Sequence, residues 1–191
     1  MKTRGALLCV GLILAGCSRE PEEIPDITPE PRPEKTYKHP THGFVIRVPD
    51  GWEIKDTGNT APIAVTLVSP RHDSADPFRE SFTVQTEPNA RGLTAQQYFE
   101  ESLAQRRLVK DFQLITTARE TIGKAEALGA VARMGLGPRE AATEGDSLVV
   151  QVLSYTIASG KNVYTLTAVA TPDTFDEYKG IFRAVALAFE P

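Results

Sequence analysis

The strongest folding signal in this chain is a pair of long apolar strands near its C-terminus. The first strand begins at Leu148 and carries apolar residues toward both faces: Leu148, Val150 and Val152 on one, and Val149, Leu153, Tyr155 and Ile157 on the other. A turn over residues 158–162 leads into a return strand over 163–170. A strand that is apolar on both faces has to be covered on both faces. We therefore expect a layered fold built around this hairpin.

Shorter strands and two helices are predicted around the hairpin. Thr94 and Gln97 have the spacing of a capping box at the start of a helix, which carries Arg106 on its solvated side. A last helix is predicted to begin at Thr171-Pro172, because proline is favoured at the first helical position. Its apolar residues recur at helical spacing and are expected in the core: Phe175, Tyr178, Phe182, Val185 and Phe189. Alternating apolar residues predict strands over 44–48, 63–69, 81–86, 113–121 and 127–134.

Three motifs link this order of elements to a known family. The predicted strand nearest the N-terminus, over 44–48, lies within the motif Gly-Phe-x-Ile-x-x-Pro-x-x-Trp from Gly43 to Trp52. The hairpin ends in Tyr164-x-Leu166-x-Ala168, and the last helix carries Phe175-x-x-Tyr178-x-x-x-Phe182. Together they resemble the PsbP-like superfamily, and its bacterial envelope lipoprotein branch, over nearly all of residues 37–191.

The resemblance implies an α+β fold in which an antiparallel β-sheet is sandwiched between helical layers, an α/β/α arrangement. It also implies binding to larger partners without catalysis, since members of the superfamily serve as extrinsic photosystem subunits, a Ran-binding import factor and envelope lipoproteins. No motif in this chain marks the photosynthetic role. A shared fold alone is weak ground for a function.

The N-terminus predicts where the protein is located. Lys2 and Arg4 precede an apolar run from Ala6 to Ala15, which is shorter than the roughly 20 residues of a membrane-spanning helix and is typical of a signal peptide. The run ends in a segment that resembles a bacterial lipobox: Leu14, Ala15, Gly16 and Cys17. That resemblance implies cleavage before Cys17, diacylglycerol on its thiol and a further acyl chain such as palmitate on its amine. Ordinary secretory cleavage beside a chance cysteine is the alternative.

Several acyl chains hold a protein on a membrane. Ser18 follows the cysteine, where an aspartate would favour retention at the inner membrane, so we expect the outer membrane and a domain that faces the periplasm. Residues 1–16 are then the signal peptide, and residues 17–36 are a tether rich in proline and glutamate, which should stay extended and disordered. A proline-rich ligand for a partner is the alternative interpretation of this segment. Residues 37–191 form one globular domain.

Composition narrows the classes of partner. Cleavage before Cys17 removes Lys2 and Arg4 and no acidic residue, which takes the formal net charge from −4 to −6. We do not expect an acidic chain to bind nucleic acid, because such binding depends on clustered cations. Cys9 leaves with the signal peptide and Cys17 carries lipid, so we expect a domain without a disulfide, stabilised by its core.

Catalytic motifs are absent from the sequence. It contains no Gly-x-Ser-x-Gly, no His-Glu-x-x-His and no cysteine-based metal site. We expect no enzymatic activity and no cofactor. His39 and His42 could form a zinc or manganese site together with His72, Asp73 or Asp76. A pair of exposed histidines beside the first strand is the simpler interpretation.

Two functional hypotheses follow. The first is a membrane-tethered, monomeric, non-enzymatic module that docks on an envelope protein or assembly through a sheet edge, a loop or a groove beside residues 70–77. The second is a binder of a small ligand or divalent cation, with or without hydrolytic activity, that uses the three histidines or the loop over 135–147. A purely structural envelope protein is a third interpretation.

Overall fold

The structure of the protein is a computed structural model that describes residues 33–56, 62–71, 78–109, 111–136 and 148–191. Every predicted strand and helix is present in these ranges, with two additional strands, β1 and β3. In chain order the elements are β1 (Pro33–Lys38), β2 (Val45–Pro49), β3 (Glu53–Asp56), β4 (Ile63–Val68), β5 (Ser81–Pro88), α1 (Ala95–Arg106), β6 (Gln113–Ile122), β7 (Ala125–Leu136), β8 (Leu148–Ser159), β9 (Asn162–Ala170) and α2 (Phe175–Leu187).

Seven of the described strands form one antiparallel sheet in the order β3-β4-β5-β9-β8-β7-β6. The predicted hairpin, β8 and β9, therefore lies inside the sheet with neighbours on both sides. β1 and β2 form a separate two-stranded ladder, which is joined to the C-terminal segment by a bridge between Val45 and Glu190.

The two helices lie on opposite faces of this sheet. Arg106 of α1 donates a hydrogen bond to Ser154. Arg183 of α2 donates to Glu120, which also accepts from the hydroxyl of Tyr155. Because Ser154 and Tyr155 are consecutive in β8, their side chains point to opposite faces. The α+β fold, with an antiparallel sheet between helical layers, is confirmed.

The core lies between the sheet and α2. The aromatic stripe is confirmed as core: Phe175, Tyr178, Phe182, Val185 and Phe189 are all buried. Phe189 lies just beyond the end of α2 and contacts the ring of Phe44, with centroids 5.4 Å apart. Trp52 covers the stripe from outside, at 6.1 Å from the ring of Tyr178. The aromatic residues of the opening motif and of the last helix therefore share one cluster.

The predicted start of the last helix was wrong by three residues. α2 begins at Phe175, and Pro172 lies in the turn before it. The amides of Thr174 and Phe175 both donate to the carbonyl of Thr171, at 3.2 and 2.9 Å, which closes this turn. The carboxylate of Glu80 accepts a hydrogen bond from Thr174 at 2.8 Å. A contact from a distant strand thus helps to set the start of the helix.

The range predicted as tether overlaps the first strand. Residues 33–36 lie in β1, where Lys35 pairs with Val48 and Thr36 with Arg47. β1 is polar and begins with proline, so it lacks the alternation that marks a strand in sequence. β3 was missed for the same reason, since Glu53–Asp56 is mostly exposed at the sheet edge.

Candidate docking face beside α1

All residues of the lipidation hypothesis lie outside the described ranges, including Leu14, Ala15, Gly16 and Cys17. His72, Asp73 and Asp76 also lie outside them. His39 and His42 lie in the turn between β1 and β2, with ring centroids 4.8 Å apart. Within the described ranges, no group of three or more His, Cys, Asp or Glu residues is placed to hold a metal ion.

The interpretation of His39 as an exposed histidine was wrong. His39 is 1% exposed, and its Nδ1 accepts hydrogen bonds from the amides of Thr41 and His42 at 3.2 and 3.1 Å. An accepting Nδ1 leaves the ring proton on Nε2, which lies 4.0 Å from Asp56 Oδ1. The neutral imidazole therefore supports the turn, and its lone pair is already engaged.

Asp56 also accepts a hydrogen bond from Tyr37. The hydroxyl donates to Asp56 Oδ2 at 2.5 Å. Burial, followed by this hydrogen bond and the negative charge of Asp56, raises the pKa of Tyr37 to about 12. The contact ties β1 to β3, the two strands that the sequence did not predict.

Two carboxylates hold α2 on the sheet. Glu80 is 2% exposed and accepts hydrogen bonds from Ser69 at 2.9 Å and Thr174 at 2.8 Å. Glu120 accepts two bonds from Arg183, both of 3.2 Å, and one from Tyr155. Burial, with the charge of Glu120, raises the pKa of Tyr155. Donors from several elements engage both carboxylates, so we interpret them as structural groups.

The sheet face that carries α1 is largely polar where α1 does not cover it. α1 lies over β7 and β8, so the β4, β5 and β9 part of this face carries no helix in the described residues. Strand register places hydroxyl side chains in one row across it, Thr66, Thr83, Thr167 and Ser154. A second row contains Gln85, Thr165 and Thr156. We call these two rows, with Arg106 beside them, the docking face.

Both rows consist of uncharged side chains that can donate and accept hydrogen bonds. Thr66 and Thr83 contact each other through their hydroxyl oxygens at 3.2 Å. Those on β4, β5 and β9 are half-buried, whereas Ser154 and Thr156 on β8 are buried beside α1. The uncovered part of the docking face is thus rich in hydrogen-bonding groups that water can still reach.

Arg106 supplies the positive charge at the edge of the docking face. Its Nη1 donates to Ser154 Oγ at 2.7 Å, and burial lowers the pKa of its guanidinium group. No carboxylate within the described ranges pairs with it. Arg106 is half-buried, so an anionic group from a ligand or partner would stabilise its charge at this position.

Arg106 was predicted at a solvated position, whereas the structure places it half-buried with its guanidinium group against Ser154. Arg106 follows Ala95 by about three helical turns, so both residues lie on the side of α1 that faces the sheet. That spacing was available in the sequence. It was outweighed by the usual preference of arginine for solvent.

A groove lies on the side of α1 that faces Glu87, near the end of β5. Tyr98, Ser102 and Gln105 line this groove of about 390 Å³ between the helix and the segment that precedes it. Arg91 lies 5.6 Å from the centroid of the Tyr98 ring and forms an ion pair with Glu101. The groove is therefore bounded by polar groups whose positions are held by contacts to one another.

Comparison with known proteins finds neither a matching family model nor a matching curated protein. Solved structures do match. Cyanobacterial PsbP (CyanoP) from Synechocystis sp. PCC 6803 is 16% identical with a TM-score of 0.56, over 82% of this chain and 91% of that one. LpqN, involved in cell envelope biogenesis of Mycobacterium tuberculosis, is 14% identical with a TM-score of 0.59, over 81% and 88%.

The Ran-binding protein Mog1p of Saccharomyces cerevisiae is 12% identical with a TM-score of 0.51, over 82% of this chain and 94% of that one. At identities this low, the structural similarity establishes a shared fold and does not transfer the function of any of these proteins to this one. The matches span nearly the whole of these chains, so the similarity concerns a complete domain. The domain of this protein has the PsbP-like fold that its sequence motifs predicted.

Proposed function

We propose that this protein is a bacterial lipoprotein, anchored in the cell envelope through lipid on Cys17, whose PsbP-like domain docks on an envelope protein without catalysis. The lipobox Leu14-Ala15-Gly16-Cys17 supports the anchoring. The fold shared with LpqN, a protein involved in cell envelope biogenesis, supports an envelope role. Among the described residues, no helix has the length and apolar character needed to cross a bilayer. Ser18 favours the outer membrane and a domain in the periplasm.

The observation that carries the docking function is the docking face with Arg106 at its edge. Its hydroxyl and amide groups suit a protein surface that presents both donors and acceptors, since each Thr, Ser and Gln side chain does both. Arg106 adds a requirement for negative charge. The partner is therefore expected to present an Asp or Glu side chain to Arg106 and polar groups to the two rows.

Photo-crosslinking in cells tests this proposal. A photoreactive amino acid is placed at Thr83 or Thr167 in the docking face, and at Glu177 on α2 as an exposed control on the opposite side of the sheet. We expect one envelope protein to crosslink from positions 83 and 167 and not from 177. Arg106→Gln should weaken that crosslink several-fold, and Arg107→Gln, a change at the exposed neighbouring position, should not.

Three outcomes would count against docking through this face. Equal crosslinking from all three positions would mean that the contacts are non-specific. A crosslink insensitive to Arg106→Gln would remove Arg106 from the interface. If neither position captures a protein, while small carboxylates raise the melting temperature of the wild type and not of Arg106→Gln, the small-ligand hypothesis replaces docking.

A further inference from the structure

The exposed large hydrophobic side chains in the described part of the chain are gathered at one end of the sheet. They are Leu108 at 81% exposed, Ile115 at 51%, Leu136 at 44%, Leu148 at 43%, Val109 at 40% and Val149 at 38%. Scattered single apolar residues on a surface need no explanation, whereas a group of them points to a contact. We call these six residues the apolar end.

Strand register places the six together. Leu136 pairs with Leu148 at the tip of the β7–β8 ladder. This tip extends beyond β9, because the pairing between β8 and β9 ends at Gln151 and Ala170. Ile115 is the third residue of β6. The first residue of β6, Gln113, pairs with Arg133, which precedes Leu136 by three residues in β7. Leu108 and Val109 follow the C-terminus of α1, in the connection to the start of β6. All six positions are thus at the end of the sheet where β6 and β8 begin.

The N-terminal segment leaves the domain at this same end. Pro33, the first residue of β1, pairs with Pro49, the last residue of β2. Gly51 follows two residues later and lies against Pro70, just beyond the end of β4. β4 ends beside the start of β5 and the end of β9, since Val68 pairs with Ser81, and Ser81 with Val169. The chain toward Cys17 therefore starts from the end that carries the exposed apolar residues.

The opposite end of the sheet has a different surface. The β6–β7 and β8–β9 turns lie there with the exposed Lys124 and Lys161 and with Glu190 near the C-terminus. None of the six exposed apolar side chains is at that end. At the apolar end, the exposed cations Arg107 and Arg133 neighbour Leu108 and the β7–β8 tip, and one exposed carboxylate, Asp111, follows Val109. Apolar side chains bordered by cations are the pattern of surfaces that rest on phospholipid headgroups.

We propose that the apolar end lies on the lipid surface of the membrane in which the lipid on Cys17 is inserted. This inference rests on the proposed lipid anchoring. Residues 17–32 separate Cys17 from the start of β1, and sixteen residues can span at most about 50 Å at the polyproline rise, which would let the domain turn either end toward the bilayer. The apolar end, rather than the length of the tether, then selects the orientation. The lipid anchor keeps the local concentration of membrane high, so a weak surface contact suffices.

This orientation also relates to docking. α1 runs toward the apolar end, so with that end on the bilayer α1 and the docking face stand beside the membrane rather than against it. The docking face would therefore stay open to a partner in the same membrane or in the periplasm. The turns at the opposite end would point away from the lipid.

An environment-sensitive fluorophore tests the orientation. The lipidated full-length protein is reconstituted in phosphatidylethanolamine and phosphatidylglycerol vesicles with the fluorophore on a single introduced cysteine at position 108, 148 or 161. Cys9 and Cys17 are the two cysteines of the chain, and neither is a free thiol after processing and lipidation. We expect a blue shift and several-fold weaker quenching by iodide at 108 and 148, and no change at 161.

Two controls separate failure of this inference from failure of the anchoring. Flotation of the protein with vesicles, and its loss in a chain that starts at Ser18 and so lacks both the lipid and the apolar run of the signal peptide, reports the anchor alone. Protein that floats but gives no shift at 108 and 148 would overturn the orientation and leave the anchor intact. A blue-shifted, shielded fluorophore at both positions without vesicles would also overturn it, because the apolar end would then be covered by protein. A fluorophore on a cysteine at position 136 should also show the blue shift, and Leu108→Ser combined with Leu148→Ser should abolish it.

Discussion

At the scale of single residues, close contacts within the sheet decide which side chains a position accepts. Gly129 lies in β7 directly opposite Tyr155 of β8. A Cβ atom at position 129 would lie 2.7 Å from Cε1 of the Tyr155 ring, which is closer than real Cβ atoms approach. Glycine at this position leaves space for the ring of Tyr155, which is buried between β7 and α2.

Gly129→Ala should therefore destabilise the domain. The added methyl group forces the ring of Tyr155 out of its place, and such overpacking costs about 1–3 kcal/mol. Urea unfolding of the two proteins measures the difference. Tyr155→Leu provides the control: combined with Gly129→Ala, the added cost of the alanine should largely disappear, because the leucine side chain lacks the ring atoms that clash. An unchanged cost in the double variant would place the strain elsewhere.

Tyr37 should titrate unusually late. Burial and its hydrogen bond to Asp56 raise the pKa of Tyr37 to about 12, whereas an unfolded tyrosine loses its proton near 10. The folded state therefore favours the neutral hydroxyl. The stabilisation is present below pH 10 and is lost as pH rises through 12. The difference in ultraviolet absorbance between the wild type and Tyr37→Phe across that range isolates this one phenol.

In Asp56→Ala, the titration of Tyr37 should move toward lower pH, since both the hydrogen-bond acceptor and the negative charge are removed. Asp56→Asn is the matched variant that keeps an acceptor oxygen and removes only the charge. Its effect should be smaller than that of alanine. A step near 10 in the absorbance difference between the wild type and Tyr37→Phe would contradict the contact between the hydroxyl and the carboxylate.

At the scale of elements, the two helices differ in what determines their ends. The start of α1 is local: Thr94 accepts a hydrogen bond from the amide of Gln97, and the Gln97 side chain accepts one from the amide of Thr94. The capping-box prediction is confirmed. The start of α2 is not local, because Thr174 has no side-chain bond to its own helix and bonds instead to Glu80. Sequence patterns could predict the first start and not the second.

Thr94→Ala should cost about 1 kcal/mol of unfolding free energy, the usual contribution of an N-cap side chain. The loss leaves the Gln97 amide without its acceptor. Chemical denaturation gives the value, and Gln105→Ala on an exposed position of the same helix is the control, which should be neutral or slightly stabilising because alanine favours helix. Equal effects of the two changes would mean that the cap contributes nothing.

At the scale of the whole molecule, the apolar end and the docking face give the domain two different surfaces. The first would rest on lipid and the second would remain available to a protein partner. α1 belongs to both, since its Arg106 contacts Ser154 of the docking face and its C-terminus leads to Leu108 and Val109. A domain of this kind can hold a partner at a defined height and orientation above a membrane.

Lipid anchoring gives the most direct prediction at this scale. Cys17→Ala should abolish metabolic labelling with a palmitate analogue and leave an unprocessed precursor, because the thiol that accepts the lipid is gone. Gel mobility and labelling of the whole protein in cells measure both effects. Ser18→Ala, beside the cysteine, is the control and should keep the label. Labelling that survives Cys17→Ala would refute the lipoprotein proposal.

The sequence by itself determined the local and periodic features of this protein. Each of the predicted strands, both helices, the Thr94 cap and the buried aromatic stripe of α2 follow from patterns within a few residues, which is the range over which backbone geometry repeats. The sequence motifs also predicted the PsbP-like fold. Patterns of this kind identify apolar faces well, because burial of apolar surface dominates folding.

Only the tertiary structure decided how polar residues from distant strands meet. The row that joins Thr66, Thr83, Thr167 and Ser154 depends on the strand order β4-β5-β9-β8, which no local pattern states. The placement of Arg106 beside Ser154, of Glu80 at the start of α2 and of six exposed apolar residues at one end has the same origin. Hydrogen bonds and surface patches form between residues that strand pairing brings together, so their positions become defined once the sheet is assembled.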